Sequence, residues 1–250
     1  MKTTVIVVPC YNEADRLRVD AFERFCAATN RVRFIFVNDG STDGTAGVLE
    51  GLRRRNPARY SVLRLQPNQG KAEAVRKGMR AALAGDATYA GYWDADLAAP
   101  LQEIPRLIGV LEKRPDLEMV FGSRVQLLGR SIRRKSYRHY LGRVFATAAS
   151  MALELPVYDT QCGAKLFRVS PSTAALFAEP FCSGWIFDVE IIARLIASRR
   201  GSGLPGALEV IYELPLDRWH EVGDSRVRTG DLLRAIVAIG EIRRRYFSRG

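Results

Sequence analysis

Asp94 and Asp96 stand one residue apart in the stretch YWDADLAAP, behind the aromatic pair Tyr92–Trp93 and ahead of Pro100. Two carboxylates at that spacing can hold a hard divalent cation when other groups supply the remaining oxygens. Alone, such a pair is most simply a solvated turn. Three other polar clusters change that reading. VPCYNE puts Tyr11, Asn12 and Glu13 in a turn just past Pro9. NDGSTDGT supplies Asp39, whose carboxylate can accept hydrogen bonds from a base or ribose. It also supplies Gly40 for a tight turn, and Ser41 and Thr42 as caps. NQGKAEAV offers Gly70 and Lys71, and a lysine so placed can meet a phosphate. Against a nucleotide diphosphate, a cation on Asp94 and Asp96 neutralises charge that two bare acids would repel.

These clusters recur where secondary-structure elements must end. TTVIVVP, VRFIFVNDG, YSVLRLQPN, YAGYWDAD and LEMVFGSR read as strands, the first of them unbroken and apolar enough to be buried on both faces. Helical patterns separate them: EADRLRVDAFERFCAAT, TDGTAGVLEGLRRR, KAEAVRKGMRAALAG and LQEIPRLIGVLEKRP. The alternation predicts an α/β domain with a mostly parallel sheet flanked by helices. Ligands of such sheets sit at the carboxyl ends of the strands, and there the four clusters meet. The VPCYNE turn, placed before a helix, should offer free backbone N–H groups to a phosphate. If the DAD strand persists, Asp94 and Asp96 share a face. No GxxxxGK[ST] loop is present, and no GxGxxG turn follows any of these strands, which argues against a P-loop nucleotidase and a dinucleotide oxidoreductase.

The chain has 250 residues, 47% of them hydrophobic, enough for a substantial core. Its formal net charge is +11, which favours anionic partners. The arginine clusters around Arg53–Arg55, Arg130–Arg143 and Arg243–Arg249 carry much of that excess. No RNA-binding motif accompanies them, so nucleic acid is not the expected partner, although a basic nucleic-acid-binding protein is the reading from another class. The four cysteines are scattered and form no CxxC pair, which argues against zinc. No stretch approaches the roughly 20 apolar residues that span a bilayer, and the start does not resemble a signal peptide. The sequence therefore reads as cytoplasmic, with any membrane contact peripheral or made through a membrane-protein partner.

Together, VVPCYNE, VNDGSTDGT, NQGKAEAVRKGM and DADLAAP resemble the nucleotide-sugar half of the inverting family 2 glycosyltransferases, which have the Rossmann-like GT-A fold. FGSR, DTQCGAKLFR and WIFDVEII are similar to the polyprenol-phosphate sugar synthases, and most of all to the dolichyl-phosphate β-glucosyltransferase branch. The resemblance implies a donor of the UDP-glucose or GDP-mannose type and a polyprenyl or dolichyl phosphate acceptor. It implies Mg²⁺ or Mn²⁺ at Asp94 and Asp96, with Pro9, Tyr11, Asn12, Glu13, Asp39, Ser41, Lys71 and Asp94 around the nucleotide sugar. Arg124 and Arg138 match the family's acceptor-phosphate arginines. Ser225 and Arg226, with Arg228, fall in WHEVGDSRVR, where the family has a closing loop.

A phosphate acceptor is already anionic near neutral pH, so it has little need of a general base. Asp159 of DTQCG matches an aspartate near the reacting sugar. Asp188 of FDVE is the candidate base for a soluble or glycan hydroxyl, the other acceptor class open to this family; its structural alternative is capping the helix or pairing with Arg168 or Arg194. Positions two apart on a helix diverge, so only one of Asp188 and Glu190 should face the site. We expect a transferase domain over 1–215, with a donor half to about 124 and an acceptor half over 125–215. A C-terminal loop and basic amphipathic helix, GDLLRAIVAIGEIRRRYFS, should fill 216–250.

Overall fold

The computed structural model describes residues 2–133, 136–222 and 229–248, and side chains for these except 133–141 and 229–233. A seven-stranded sheet is built from β1 (Thr4–Cys10), β2 (Val32–Asp39), β3 (Tyr60–Leu65), β4 (Tyr89–Trp93), β5 (Met119–Ser123), β7 (Ala164–Arg168) and β8 (Ile211–Pro215). Its order is β3-β2-β1-β4-β7-β5-β8. All neighbouring pairs are parallel except those made by β7, which runs antiparallel between β4 and β5. A short parallel pair, β6 (Ser131–Arg133) and β9 (Arg218–His220), stands apart.

The apolar strands alternate between two cores. Val5 and Val7 of β1 face one side, with α3 (Lys71–Leu83), α5 (Ser136–Leu153), α7 (Phe187–Arg199) and α9 (Thr229–Phe247). Ile6 and Val8 face the other, with α1 (Val19–Ala28), α2 (Thr45–Arg55) and α4 (Glu103–Lys113). Successive side chains of a strand point to opposite faces, so a strand covered on both sides reads as continuously apolar. The expected helix-flanked, mostly parallel sheet is the observed one. The C-terminal helix α9 packs on α5 and α7, with Ala235, Ile239 and Ile242 buried in the shared core.

Local boundaries differ from the sequence expectation in ways that matter for the site. β4 stops at Trp93, so Asp94 and Asp96 lie in a turn and not on the strand. The helix after VPCYNE begins only at Val19; residues Glu13–Arg16 form a separate turn closed by Leu17 N–H donating to Glu13 C=O. GALEV opens with α8 (Ala207–Val210), a single helical turn, before extending into β8. AKLFR, whose lysine breaks the apolar pattern, is the antiparallel β7; α6 (Pro171–Leu176) follows it.

β1 lies between β2 and β4, so the chain reverses its direction of winding between β1 and β4. The crevice beyond that switch point is where an open α/β sheet receives its ligand. Because β7 is antiparallel, the DTQCG segment before it emerges at the same rim as the DAD turn after β4.

Candidate active site at the sheet rim

A cleft of about 300 Å³ opens at this switch point, lined by Pro9, Tyr11, Glu13, Asp39, Lys71, Asp94 and Asp96. Arg16, Asn68, Cys10, Gly70, Ala74 and Ala95 complete the lining. Seven of the residues expected at the donor site are thus brought together. Asn12 and Ser41 are not among the lining residues; they lash the first two loops to each other. Asn12 N–H donates to Ser41 Oγ at 3.1 Å, and Thr42 N–H donates to Asn12 Oδ1 at 2.9 Å. Glu13 N–H donates to Thr45 Oγ1 at 2.8 Å and Ala14 N–H to Asp43 Oδ2 at 3.1 Å. The backbone donors expected to be free for a phosphate are therefore spent on side chains of the second loop.

Asp39 is also engaged. Its two carboxylate oxygens accept from Gln69 N–H and Gly70 N–H, each at 2.8 Å. Asn68 Nδ2 donates to its carbonyl at 2.9 Å. This lashing brings the third loop so close that a Cβ on Gly40 would lie 2.6 Å from Asn68 N, and Gly40 itself has φ +67°. Only glycine meets both demands.

Lys71 opens α3 and reaches back to the DAD turn, its Nζ 2.6 Å from Asp94 Oδ1. Partial burial works against the Lys71 ammonium, but Asp94, Asp188 and Asp96 outweigh it and its pKa rises. Asp96 Oδ1 accepts from Ala98 N–H at 3.0 Å. Burial, and then the Asp94 carboxylate, raise Asp96 above its ordinary value. The intervening turn places buried Leu97 at φ 53°, a left-handed conformation that a branched side chain adopts only under constraint. Behind Asp94 lies Gly163, whose carbonyl accepts from Asp94 N–H at 3.0 Å. A Cβ on Gly163 would come within 2.0 Å of the Asp94 carboxylate, so the missing side chain is the space that carboxylate occupies. Two close carboxylates fit a hard cation that takes its other oxygens from a diphosphate and water. Among the described residues no group of three or more His, Cys, Asp or Glu is placed to hold a metal without such help.

Beside the cleft, Arg124 and Asp159 form a bidentate pair. Nε and Nη2 of Arg124 donate to the two oxygens of Asp159 at 2.6 and 2.7 Å, and Arg124 N–H adds a third bond at 3.0 Å. The guanidinium also lies 5.4 Å from the Trp219 ring centre. Arg143 stacks over Tyr158 at 4.2 Å. His220 is exposed, its N–H donating to Ala98 C=O. The side chains of Arg138, Ser136 and His139 lie outside the described residues, as do Ser225, Arg226 and Arg228.

Asp188, at the start of α7, is buried. Tyr92 OH donates to its Oδ1 at 2.5 Å, and Lys165 Nζ stands 2.6 Å from the same oxygen. Pairing with Arg168 or Arg194 is thereby corrected. Arg168 is spent on the carbonyls of Leu111, Arg114 and Leu117, and Arg194 pairs with Glu190 on the opposite side of the helix. Asp188 and Glu190 do diverge, as their spacing requires. Lys165 is fully buried and also donates to the carbonyls of Thr160 and Cys162 at 2.9 and 2.6 Å. Sequence reasoning passed over Lys165, Arg16 and Asn68. A lysine inside the apolar run AKLFR was the one available signal.

The sequence pattern of Glycosyl transferase family 2 matches residues 5–173. The chain belongs to that family. The transferase is 29% identical over 241 residues to the dolichyl-phosphate beta-glucosyltransferase of Saccharomyces cerevisiae, covering 89% of this chain and 68% of the relative. The Drosophila melanogaster enzyme of the same name is 31% identical over 208 residues, covering 75% of this chain and 60% of its own. The transferase thus spans roughly two thirds of these relatives' length. Among solved structures it resembles glucosyl-3-phosphoglycerate synthase from Mycobacterium tuberculosis in complex with Mn²⁺ and UDP-glucose. That match has a TM-score of 0.68 at 18% identity, over 97% of this chain and 79% of the other. The transferase shares that fold.

Proposed function

We propose that this transferase moves glucose from UDP-glucose to a polyprenyl or dolichyl phosphate with inversion at the anomeric carbon. One observation carries the reading most: segment 159–163 joins the two-acid turn, backed by Gly163, to Arg124, clamped by Asp159. A diphosphate at the first and an acceptor phosphate at the second would lie at one rim. The dolichyl-phosphate glucosyltransferases that align with most of the chain supply the substrate class, with GDP-mannose as the competing donor.

In this reading Asp94 and Asp96 hold Mg²⁺ or Mn²⁺, which supplies charge neutralisation for the departing diphosphate. Lys71 adds a further cation on the phosphate side. Pro9, Tyr11, Glu13 and Asp39 enclose the nucleoside, with Asn12 and Ser41 fixing the loops around it, and Arg16 extends the site. Arg124 orients the acceptor phosphate, joined by Arg138, Ser225 and Arg226. An acceptor oxygen attacks the anomeric carbon from the face opposite the diphosphate. As the new C–O bond forms, the bond to the diphosphate oxygen breaks and its electron pair leaves with UDP, turning an α-linked donor into a β-linked product. No proton has to be removed from the acceptor. The engagement of Asp188 with Lys165 and Tyr92 favours this base-free route, while Asp159 acts by orienting Arg124 and the sugar.

Residues 1–124 then form the donor half, 125–215 the acceptor half and 216–250 a closing loop and docking helix. No described helix is long and apolar enough to cross a membrane. A lipid acceptor would be met peripherally on the cytoplasmic face. Support comes from exposed Ile236 and Val237 on α9 and exposed Val144 and Met151 on α5, with the Arg243–Arg245 run close by. Thermal unfolding with UDP-, GDP- and dTDP-sugars, each with and without Mn²⁺, tests the donor assignment, because a ligand of the folded state raises its melting temperature. UDP-glucose with Mn²⁺ should give the largest rise; a rise with GDP-mannose alone would replace the donor.

A further inference from the structure

Glu213 lies on β8, a strand that contributes nothing to the donor cleft, opposite Phe121 in the register with β5. Both of its carboxylate oxygens are nevertheless spent on the backbone that carries Asp159. Asp159 N–H donates to Oε1 at 2.7 Å and Tyr158 N–H to Oε2 at 2.9 Å. Burial raises the Glu213 pKa above its ordinary value, so the strand pays a desolvation cost that a surface glutamate avoids. Two successive amide planes held by one carboxylate leave little freedom in the direction of the Asp159 side chain. That side chain takes three bonds from Arg124, whose guanidinium lies over Trp219. On the other side of the same segment, Lys165 holds the carbonyls of Thr160 and Cys162. The segment is thus pinned through its N–H groups by one side chain and through its C=O groups by another.

We propose that Glu213 is the positioning residue of the acceptor subsite. It touches no substrate and acts through Asp159 on the guanidinium of Arg124. Its consequence for catalysis rests on the reading that Arg124 meets the acceptor phosphate; its consequence for geometry does not. A carboxylate is needed because both backbone groups are donors. Glu213→Gln keeps the shape and one acceptor oxygen but turns an NH₂ group toward the other N–H.

The test uses the whole chain labelled with 5-fluorotryptophan. Fluorine NMR then gives one line each for Trp93, Trp185 and Trp219, the last assigned with Trp219→Phe. In Glu213→Gln the Trp219 line should shift or broaden while the other two stay. The KM for polyprenyl phosphate should rise about tenfold, with the UDP-glucose-dependent thermal shift unchanged. A folded Glu213→Gln chain with an unmoved Trp219 line and an unchanged acceptor KM overturns the proposal. So do three lines moving together, which would mark a general packing role. If the glutamine chain does not fold, Glu213→Asp, which keeps the charge on a shorter arm, is read by the same criteria. A moved Trp219 line in a protein whose wild type transfers nothing to lipid phosphates would sink the acceptor assignment and leave the positioning role standing.

Discussion

Arg124 and Asp159 meet as a fork on a fork, two nearly parallel bonds of 2.6 and 2.7 Å between side chains that are 15% and 8% exposed. Such geometry belongs to arginine, because a lysine ammonium cannot satisfy both carboxylate oxygens in one plane. Arg124→Lys should therefore lower kcat/KM for the acceptor by about ten- to a hundredfold, or about 1.4 to 2.7 kcal/mol, with donor binding intact. Asp159→Ala leaves the guanidinium without its carboxylate and should cost about 3 kcal/mol of stability. Urea unfolding measures the second effect, and steady-state kinetics with varied acceptor measures the first.

Gly163→Ala puts a methyl group where the Asp94 carboxylate sits, 2.0 Å away. The carboxylate must move, so Mn²⁺-dependent donor binding should weaken at least tenfold while the chain stays folded. Calorimetric titration of UDP-glucose with and without Mn²⁺ separates the two. An unchanged Mn²⁺-dependent affinity would show that Asp94 does not hold the cation.

Lys165 and Asp188 form a buried pair, 0% and 7% exposed at the side chain. Removing one partner strands the other charge, so Lys165→Met should cost about 3 to 5 kcal/mol and lower the melting temperature. Asp188→Asn should also act mainly on stability. Should it instead abolish transfer while leaving stability and donor binding untouched, Asp188 is a general base and the acceptor is a hydroxyl.

Asp96 has a raised pKa, from burial first and the Asp94 carboxylate second. A raised acid keeps its proton to a higher pH than an ordinary aspartate. The free protein therefore loses the charge on Asp96 earlier as pH falls, and apparent Mn²⁺ affinity should decline on acidification before ordinary carboxylates titrate. Asp96→Asn should remove that part of the decline and bind Mn²⁺ weakly at every pH. Electron paramagnetic resonance of free Mn²⁺ across the pH range follows both.

The layered sheet was legible because apolar runs ending in polar clusters obey simple periodicities. The cleft at the sheet rim was legible because its lining residues sit at the ends of those runs. What escaped depended on contacts distant in the chain. Nothing near VPCYNE reveals that Ser41, Thr45 and Asp43 consume its backbone donors. The partner of Asp188 was misread because Lys165 reaches it only through the antiparallel insertion of β7, and a strand of five residues with a lysine at its second position has no clear period. Glu213 was hidden for the same reason: a carboxylate on a partly apolar strand gains its meaning from Tyr158 and Asp159, more than fifty positions earlier.

The most direct measurement is transfer itself. The purified chain, UDP-[¹⁴C]glucose, Mn²⁺ and dolichyl phosphate in detergent should yield an organic-soluble β-glucosyl phospholipid. That product should disappear with a chelator, and Asp94→Ala should reduce it at least a hundredfold. Wild-type protein that binds UDP-glucose but labels no lipid phosphate, or an Asp94→Ala variant as active as wild type, would contradict the account.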